Sequence, residues 1–100
     1  GIESIDLSQY PIKSLSTECF SGCQRLKSIQ IPNMLKEIGK RAFARTALES
    51  IDLSHTQIET IPEECFDECR NLKSAQLPNG LKKIERRGRR KCKKRKIYIF

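Results

Sequence analysis

One hundred residues with 37% hydrophobic side chains, no tryptophan and a formal net charge of +8 make one small domain without the apolar mass for a large central core. The charge is not spread evenly: residues 1–84 carry eleven Lys/Arg and eleven Asp/Glu, whereas residues 85–100 carry nine Lys/Arg and Glu85. The basic balance therefore describes a terminal segment and not a domain.

No apolar run reaches the roughly 18 residues of a membrane-spanning helix, and no charged-then-apolar leader opens the chain. The chain starts on Gly1 with no polar cap before its first strand motif, and is expected to be a fragment or a processed product. It has no Asn-x-Ser/Thr sequon, so glycosylation gives no hint of secretion.

Shifting the chain by 46 positions lays LESIDLSHTQIETIPEECFDECRNLKSAQL, residues 48–77, on IESIDLSQYPIKSLSTECFSGCQRLKSIQI, residues 2–31. The skeleton ECF..C..LKS.Q.PN.LK.I extends the match to residues 38 and 84. Within each half the motif [IL]xx[IA]x[IL] recurs, starting at Ile2, Leu26, Leu48 and Leu72, steps of 24, 22 and 24. A period of this size marks an array whose units bury their apolar faces only against one another.

In chain order, Ile5 and Leu7 alternate with Ser4, Asp6 and Ser8, which predicts a short strand with one buried face. Ile12 and Leu15 turn the chain, and the spacing of Phe20, Cys23 and Leu26 predicts one face of a helical turn. The second unit repeats the series with Ile29 and Ile31, Leu35 and Ile38, then Ala42, Phe43, Thr46 and Leu48. The third uses Ile51 and Leu53, Ile58 and Ile61, then Phe66, Cys69 and Leu72. Pro62, Glu63 and Glu64 suit a helix start and Arg70 its end, as Glu18 and Arg25 do one half earlier; Lys40 and Arg41 depart from that charge pattern. Strands that all run one way, and return through about twenty residues, stack as a parallel sheet with a helical outer wall behind it.

These units resemble a known family. LESIDLSHTQIETIPEECFDECRNL looks like a typical leucine-rich repeat, and LKSIQIPNMLKEIGKRAFARTAL looks like the BspA-like type, whose pattern is LxxIxIPxxLxxIGxxAFxxCxxL. The resemblance covers roughly residues 1–84 and implies an α/β leucine-rich repeat solenoid. Such a fold is a right-handed horseshoe arc with short parallel strands on the concave face and short helices or turns on the convex face. Residues 1–84 would hold about four units of 22–24 residues, and residues 85–100 a degenerate fifth repeat or a tail. The resemblance also implies surface or secreted antigens of bacteria and protists that bind host or matrix proteins. The sequence departs from the BspA-like pattern with Thr46 where Cys is usual, Cys19 and Cys65 where Ala is usual, and a basic terminal unit.

Outward strand residues of such an array form ladders, with rungs at the roughly 4.8 Å spacing of paired strands. One ladder is Ser4, Ser28, Ser50 and Ser74; the next is Asp6, Gln30, Asp52 and Gln76; a third is Ser8, Pro32, Ser54 and Pro78. A fourth alternates in sign through Glu3, Lys27, Glu49, Lys73 and, if the register persists, Arg95. These ladders read either as a soluble face with charges paired across strands, or as a concave surface for a protein ligand. Aromatic or arginine anchors of a tight protein site are missing from the rungs of the first four strand motifs. The serine rungs and the Asp/Gln rungs are the expected protein-binding residues.

Cys19, Cys23, Cys65 and Cys69 form CxxxC twice. Two coils separate the pairs by about 10 Å, whereas thiolates on one zinc lie within about 4 Å of each other. Buried small side chains are therefore expected at Cys23 and Cys69, the inward site that Thr46 holds in the middle unit. A Cys69–Cys92 bridge, one coil apart, would be within disulfide reach. His55, the one histidine, sits in a turn, and no Ser/His/Asp or Cys/His set accompanies it. With no Gly-rich phosphate loop and no metal-ligand cluster, the reading is a non-enzymatic chain with no cofactor, no metal and no small-molecule substrate.

The basic end keeps the register: Cys92 falls at the site of Thr46, Ile97 at that of Ile51 and Ile99 at that of Leu53. Arg89, however, falls where Phe43 sits and Lys94 where Leu48 sits, and burying two unpaired cations would cost several kcal/mol each. A normal fifth coil is not expected, although residues 97–99 could add a strand beside Ala75–Gln76–Leu77. Arg86, Arg87, Arg89, Arg90, Lys91, Lys93, Lys94, Arg95 and Lys96 form a candidate polyanion site for heparin, nucleic acid or anionic lipid, or a nuclear-import signal. The family resemblance thus points to the cell surface or to secretion, the basic run to the nucleus.

Overall fold

The computed structural model describes residues 2–85 and the backbone of residues 97 and 98. In chain order the strands are β1 (Ser4–Asp6), β2 (Ser14–Leu15), β3 (Ser28–Gln30), β4 (Glu37–Ile38), β5 (Ser50–Asp52), β6 (Thr60–Ile61), β7 (Ser74–Gln76), β8 (Lys83–Ile84) and β9 (Ile97–Tyr98). They fall into two rows. The odd-numbered strands are the expected motif, with β1 parallel to β3 and β7 parallel to both β5 and β9. The even-numbered strands form a second row, with β2 parallel to β4 and β6 parallel to β8.

Each of the first three coils thus has three sides: a first-row strand, a second-row strand and a run of turns. Leu15 pairs with Ile38 and Ile61 with Ile84, a step of 23. The first row instead steps by 24 from Ile5 to Ile29 and by 22 from Ala75 to Ile97. One residue of the alternation arises at the corner after the first strand, where DLS in the odd coils replaces QIP or QLP in the even ones, and the other at the end of the wall, where Cys23 and Cys69 stand three residues before Leu26 and Leu72 but Thr46 two before Leu48. In the odd coils an Asp carboxylate closes that corner, Asp6 Oδ1 accepting from Ser8 N at 2.9 Å and Asp52 Oδ1 from Ser54 N at 2.9 Å. Between β3 and β5 the first row continues through Glu49 N donating to Lys27 O at 3.2 Å.

The outer wall is not helical: among the described residues there are strands and turns and no helix. Of the short helices or turns expected on the convex face, the described wall takes the turns, and the helical turns expected at Phe20–Leu26 and Pro62–Arg70 are chained turns. Cys65 N donates to Pro62 O, Asp67 N to Glu64 O and Cys69 N to Phe66 O, each bond closing a turn. Between these, alternate N–H groups leave their own coil: Glu18, Phe20 and Gly22 donate to Lys40, Ala42 and Ala44, while Arg41, Phe43 and Arg45 donate to Glu63, Cys65 and Asp67.

An N–H aimed at the next coil cannot also close a bond four residues back, so coil stacking and helix compete for the same donors. Stacking requires left-handed residues, found at Glu18, Arg41, Arg45, Glu64, Glu68 and Gly22 with φ between 53° and 79°. Each non-glycine one costs about 1–2 kcal/mol. In the second wall, three intercoil bonds of about 1 kcal/mol each, with burial of Phe43 at about 2–3 kcal/mol, offset the two at Arg41 and Arg45.

That phenylalanine is the centre of the core. Phe20 stacks on Phe43 at 5.7 Å between ring centroids and Phe43 on Phe66 at 5.8 Å, with the planes within 10°. Leu26, Leu48 and Leu72 fill the corner beneath them, and Ile29, Ile51 and Ala75 cover them from the first row. Coils 1 and 2 close tightly at Gly39, where an added Cβ would lie 2.3 Å from Thr17 N.

Candidate functional site

The first-row register brings the expected rungs together. Ser4 lies opposite Ser28 and Asp6 opposite Gln30; Ser50 lies opposite Ser74 and Asp52 opposite Gln76. All eight point away from the core, whose inward partners are Ile5, Ile29, Ile51 and Ala75. Ser74 alone among the eight is half-buried.

The two aspartates are already engaged. Ser8 Oγ donates to Asp6 Oδ1 at 2.6 Å and Ser54 Oγ to Asp52 Oδ1 at 2.6 Å, beside the backbone bonds from the same serines. The serine hydroxyls hold both carboxyls below their ordinary range, the backbone N–H groups add to this, and His55 contributes at Asp52. The Asp rungs are therefore fixed anions with Oδ1 committed to the loop, and the Gln rungs between them offer both donor and acceptor. His55 leans from its corner so that its Nε2–H donates to Ile31 O at 3.1 Å, tying coil 3 to coil 2.

The charge ladder of Glu3, Lys27, Glu49 and Lys73 does not pair across strands. Glu3 meets Arg25 at 3.5 Å, and among the described residues no ion pair joins Glu3 to Lys27 or Glu49 to Lys73. Ion pairing concentrates on the wall, where Arg41 Nε bonds Glu18 at 2.7 Å and Arg41 Nη1 bonds Glu64 at 3.0 Å. The two carboxylates, Glu18 foremost, hold the proton on Arg41 more firmly than usual.

The cysteines divide by coil. Cys65 and Cys69 are 0% exposed, and Cys69 Sγ donates to Phe43 O at 2.9 Å beside Thr46 Oγ1, which donates to the same carbonyl at 3.0 Å. Thr46 and Cys69, 23 apart in the register, are thus both buried and meet at one carbonyl, Thr46 from its own coil and Cys69 from the next. Burial pushes the Cys65 thiol well above its ordinary range. Cys23 is exposed, contrary to the expected inward site, because no coil covers that side of the first unit among the described residues. Cys92, the residue within disulfide reach of Cys69 by register, lies outside the described residues, as do Arg86, Arg87, Arg89, Arg90, Lys91, Lys93, Lys94, Arg95 and Lys96.

An open groove of about 960 Å³ runs along the second row. Ser14, Lys36, Glu37, Gln57, Glu59 and Thr60 line it, and none of the eight first-row rungs does. Its floor comes from Leu15 and Ile38. The signal for these strands was present as apolar residues three apart, Ile12/Leu15, Leu35/Ile38, Ile58/Ile61 and Leu81/Ile84. That spacing hides a two-residue strand, whose alternation needs a third residue to show.

Residues 1–100 match the family model of the BspA type leucine-rich repeat region, in six copies. No curated protein and no solved structure matches the chain. With the whole chain matched, it belongs to the BspA-type leucine-rich repeat family.

Proposed function

We propose that this chain is a non-enzymatic interaction module of a surface or secreted leucine-rich repeat protein, holding a protein ligand on the exposed first-row face through Ser4, Asp6, Ser28, Gln30, Ser50, Asp52, Ser74 and Gln76. The observation that carries this reading is the register of the rungs, in which fixed aspartates alternate with glutamines on one exposed face. Leucine-rich repeats serve generally as protein-interaction folds, and extended repeat surfaces suit large partners. The aspartates arrive with their geometry set by Ser8 and Ser54, so less side-chain freedom is lost on binding.

The test is binding to an array of immobilised extracellular-matrix proteins. The double variant Asp52→Ala/Gln76→Ala loses binding if the first-row face is the site. Loss in a Glu37→Ala/Thr60→Ala variant, with Asp52→Ala/Gln76→Ala unchanged, moves the site to the second-row groove.

A second reading rests on charge. Nine of the twenty Lys/Arg fall within residues 86–96, a run that would bind heparin, nucleic acid or anionic lipid, or serve in nuclear targeting. If six of them met phosphates, log K would fall with log salt at a slope of about −5. Deleting residues 85–100 abolishes retention on heparin under this reading, and unchanged retention rules it out.

A further inference from the structure

The chain has three asparagines, Asn33, Asn71 and Asn79, and the fold treats them differently. Asn71 precedes Leu72, which is buried and whose N–H donates to Cys69 O at 3.2 Å. Asn33 and Asn79 occupy the same turn 46 positions apart, Leu35 N donating to Pro32 O at 3.3 Å and Leu81 N to Pro78 O at 3.1 Å. In each a proline opens the turn and the asparagine is its second residue. The third residue differs, being Met34 in the earlier turn and Gly80 in the later one.

At Asn79 and Gly80 the groups that a cyclisation needs are adjacent and uncommitted. Both residues are exposed. Among the described residues neither the Asn79 side chain nor the Gly80 N–H makes a hydrogen bond. An added Cβ at Gly80 would meet no atom within 4 Å, so the space beside its nitrogen is open. Neither residue has a left-handed φ, which with the Pro78–Leu81 bond makes the turn type I. One bond closes it, and glycine lets it open into conformations that bring the Gly80 nitrogen onto the Asn79 side-chain carbonyl carbon. At Asn33 the Met34 Cβ crowds that nitrogen and narrows the same excursion.

We propose that Asn79 and Gly80 form a self-modifying site, at which the folded chain converts Asn79 to aspartate and isoaspartate and so loosens β8 from β6. Hydroxide takes the Gly80 N–H proton and the nitrogen attacks Asn79 Cγ. The Cγ–Nδ2 bond breaks, and the leaving nitrogen takes a proton from water and departs as ammonia. The five-membered imide then adds water. Breaking its bond from Gly80 N to Cγ leaves aspartate; breaking the bond from Gly80 N to the main-chain carbonyl carbon leaves isoaspartate, with the chain running through Cβ and Cγ. Either product puts a negative charge on the corner between β7 and β8, and isoaspartate also lengthens the turn by one main-chain carbon. Lys82 N and Lys83 N, which donate to Glu59 O at 2.9 and 3.2 Å, follow directly, and Leu81 between them and the turn is only half-buried. The added length therefore pulls on the bonds that hold β8 to β6.

The test incubates the full chain in mildly alkaline buffer, digests it with trypsin, and follows the isoaspartyl and aspartyl forms of residues 74–82, SAQLPNGLK, and of residues 28–36, SIQIPNMLK. The two peptides are an internal pair from one sample. Opening a single turn bond should slow Asn79 in the native chain by about fivefold relative to the chain unfolded in urea. A reaction that waits on global unfolding would be slowed by more than about a thousandfold, and that result overturns the proposal. Asn33 should stay largely intact while Asn79 converts. Gly80→Met, for which the turn has room, should slow Asn79 to the rate of Asn33, and Met34→Gly should raise Asn33 to the rate of Asn79. Rates indifferent to both exchanges contradict the role of the glycine. Amide exchange at Lys82 and Lys83 should quicken as isoaspartate accumulates, with β1 and β3 unchanged. Unchanged exchange in chains that carry isoaspartate contradicts the loosening of β8.

Discussion

Cys19 and Cys23 in the first coil are exposed, whereas Cys65 and Cys69, 46 positions later in the same ECFxxC motif, are fully covered. Phe20 and Phe66 divide in the same way. The local sequence is shared, so the difference comes from the neighbours: coil 3 has coil 2 against its earlier side and coil 1 has nothing described there. A repeat of this size carries one side of an interface and no core of its own. Burial, and with it the chemistry of the thiols, is set by position in the stack.

The sharpest way to break this comparison is to remove the same ring from each coil. Phe66→Ala should cost about 3–5 kcal/mol, a large part of the roughly 5–15 kcal/mol available to a domain of this size. Phe20→Ala should cost about half as much, because one face of its ring is already uncovered. Chemical denaturation of the two variants measures the ratio, and equal losses would mean that coil 1 is packed as fully as coil 3.

Gly39 probes the contact between coils 1 and 2 itself. A Cβ at that position meets Thr17 N, Ser16 C and Thr17 Cα within 2.7 Å, all of them backbone atoms that cannot rotate away. Gly39→Ala should therefore destabilise by at least about 3 kcal/mol, the upper range of overpacking. Its amide exchange should rise first in β2 and β4, which the contact holds together, and later in β6 and β8.

Smaller effects are expected at the wall and at the corners. Arg41→Ala removes the bridge between Glu18 and Glu64, and the loss should shrink as salt rises, since the pairs are partly exposed. At the corners, Ser54→Ala removes the hydroxyl that most depresses the Asp52 carboxyl. A depressed folded-state value means stability that is full above the unfolded carboxylate value and is lost as pH falls through the folded one. Ser54→Ala should raise the Asp52 titration midpoint in NMR and weaken the acid-side pH dependence of unfolding. An unmoved midpoint would show that the hydroxyl bond is not formed in solution.

The first strand row was legible because its alternation runs over five residues, from Ser4 to Ser8 and at each repeat of it. The second row was not, since Ile12 and Leu15 are three apart and each strand has only two residues. The wall was misread for a related reason: Phe20, Cys23 and Leu26 fit a helix and a chain of turns equally well. What separates them is left-handed backbone at Glu18, Arg41 and Glu64, residue types that give no local sign of it. Gly22, equivalent to Arg45 and Glu68, was the one glycine in these turns that could have hinted at a positive φ. The rungs of the candidate site followed directly from the repeat, while the groove over the second row waited on strands that the spacing concealed.

The control of burial by position in the stack is tested most directly by the rate at which each thiol of the unmodified chain is alkylated under native conditions. Position in the stack predicts fast modification at Cys19 and Cys23, slow modification at Cys65 and Cys69, and convergence of all four in denaturant. Native rates at Cys65 and Cys69 matching those at Cys19 and Cys23 would contradict it, because coil 3 would then be no better covered than coil 1.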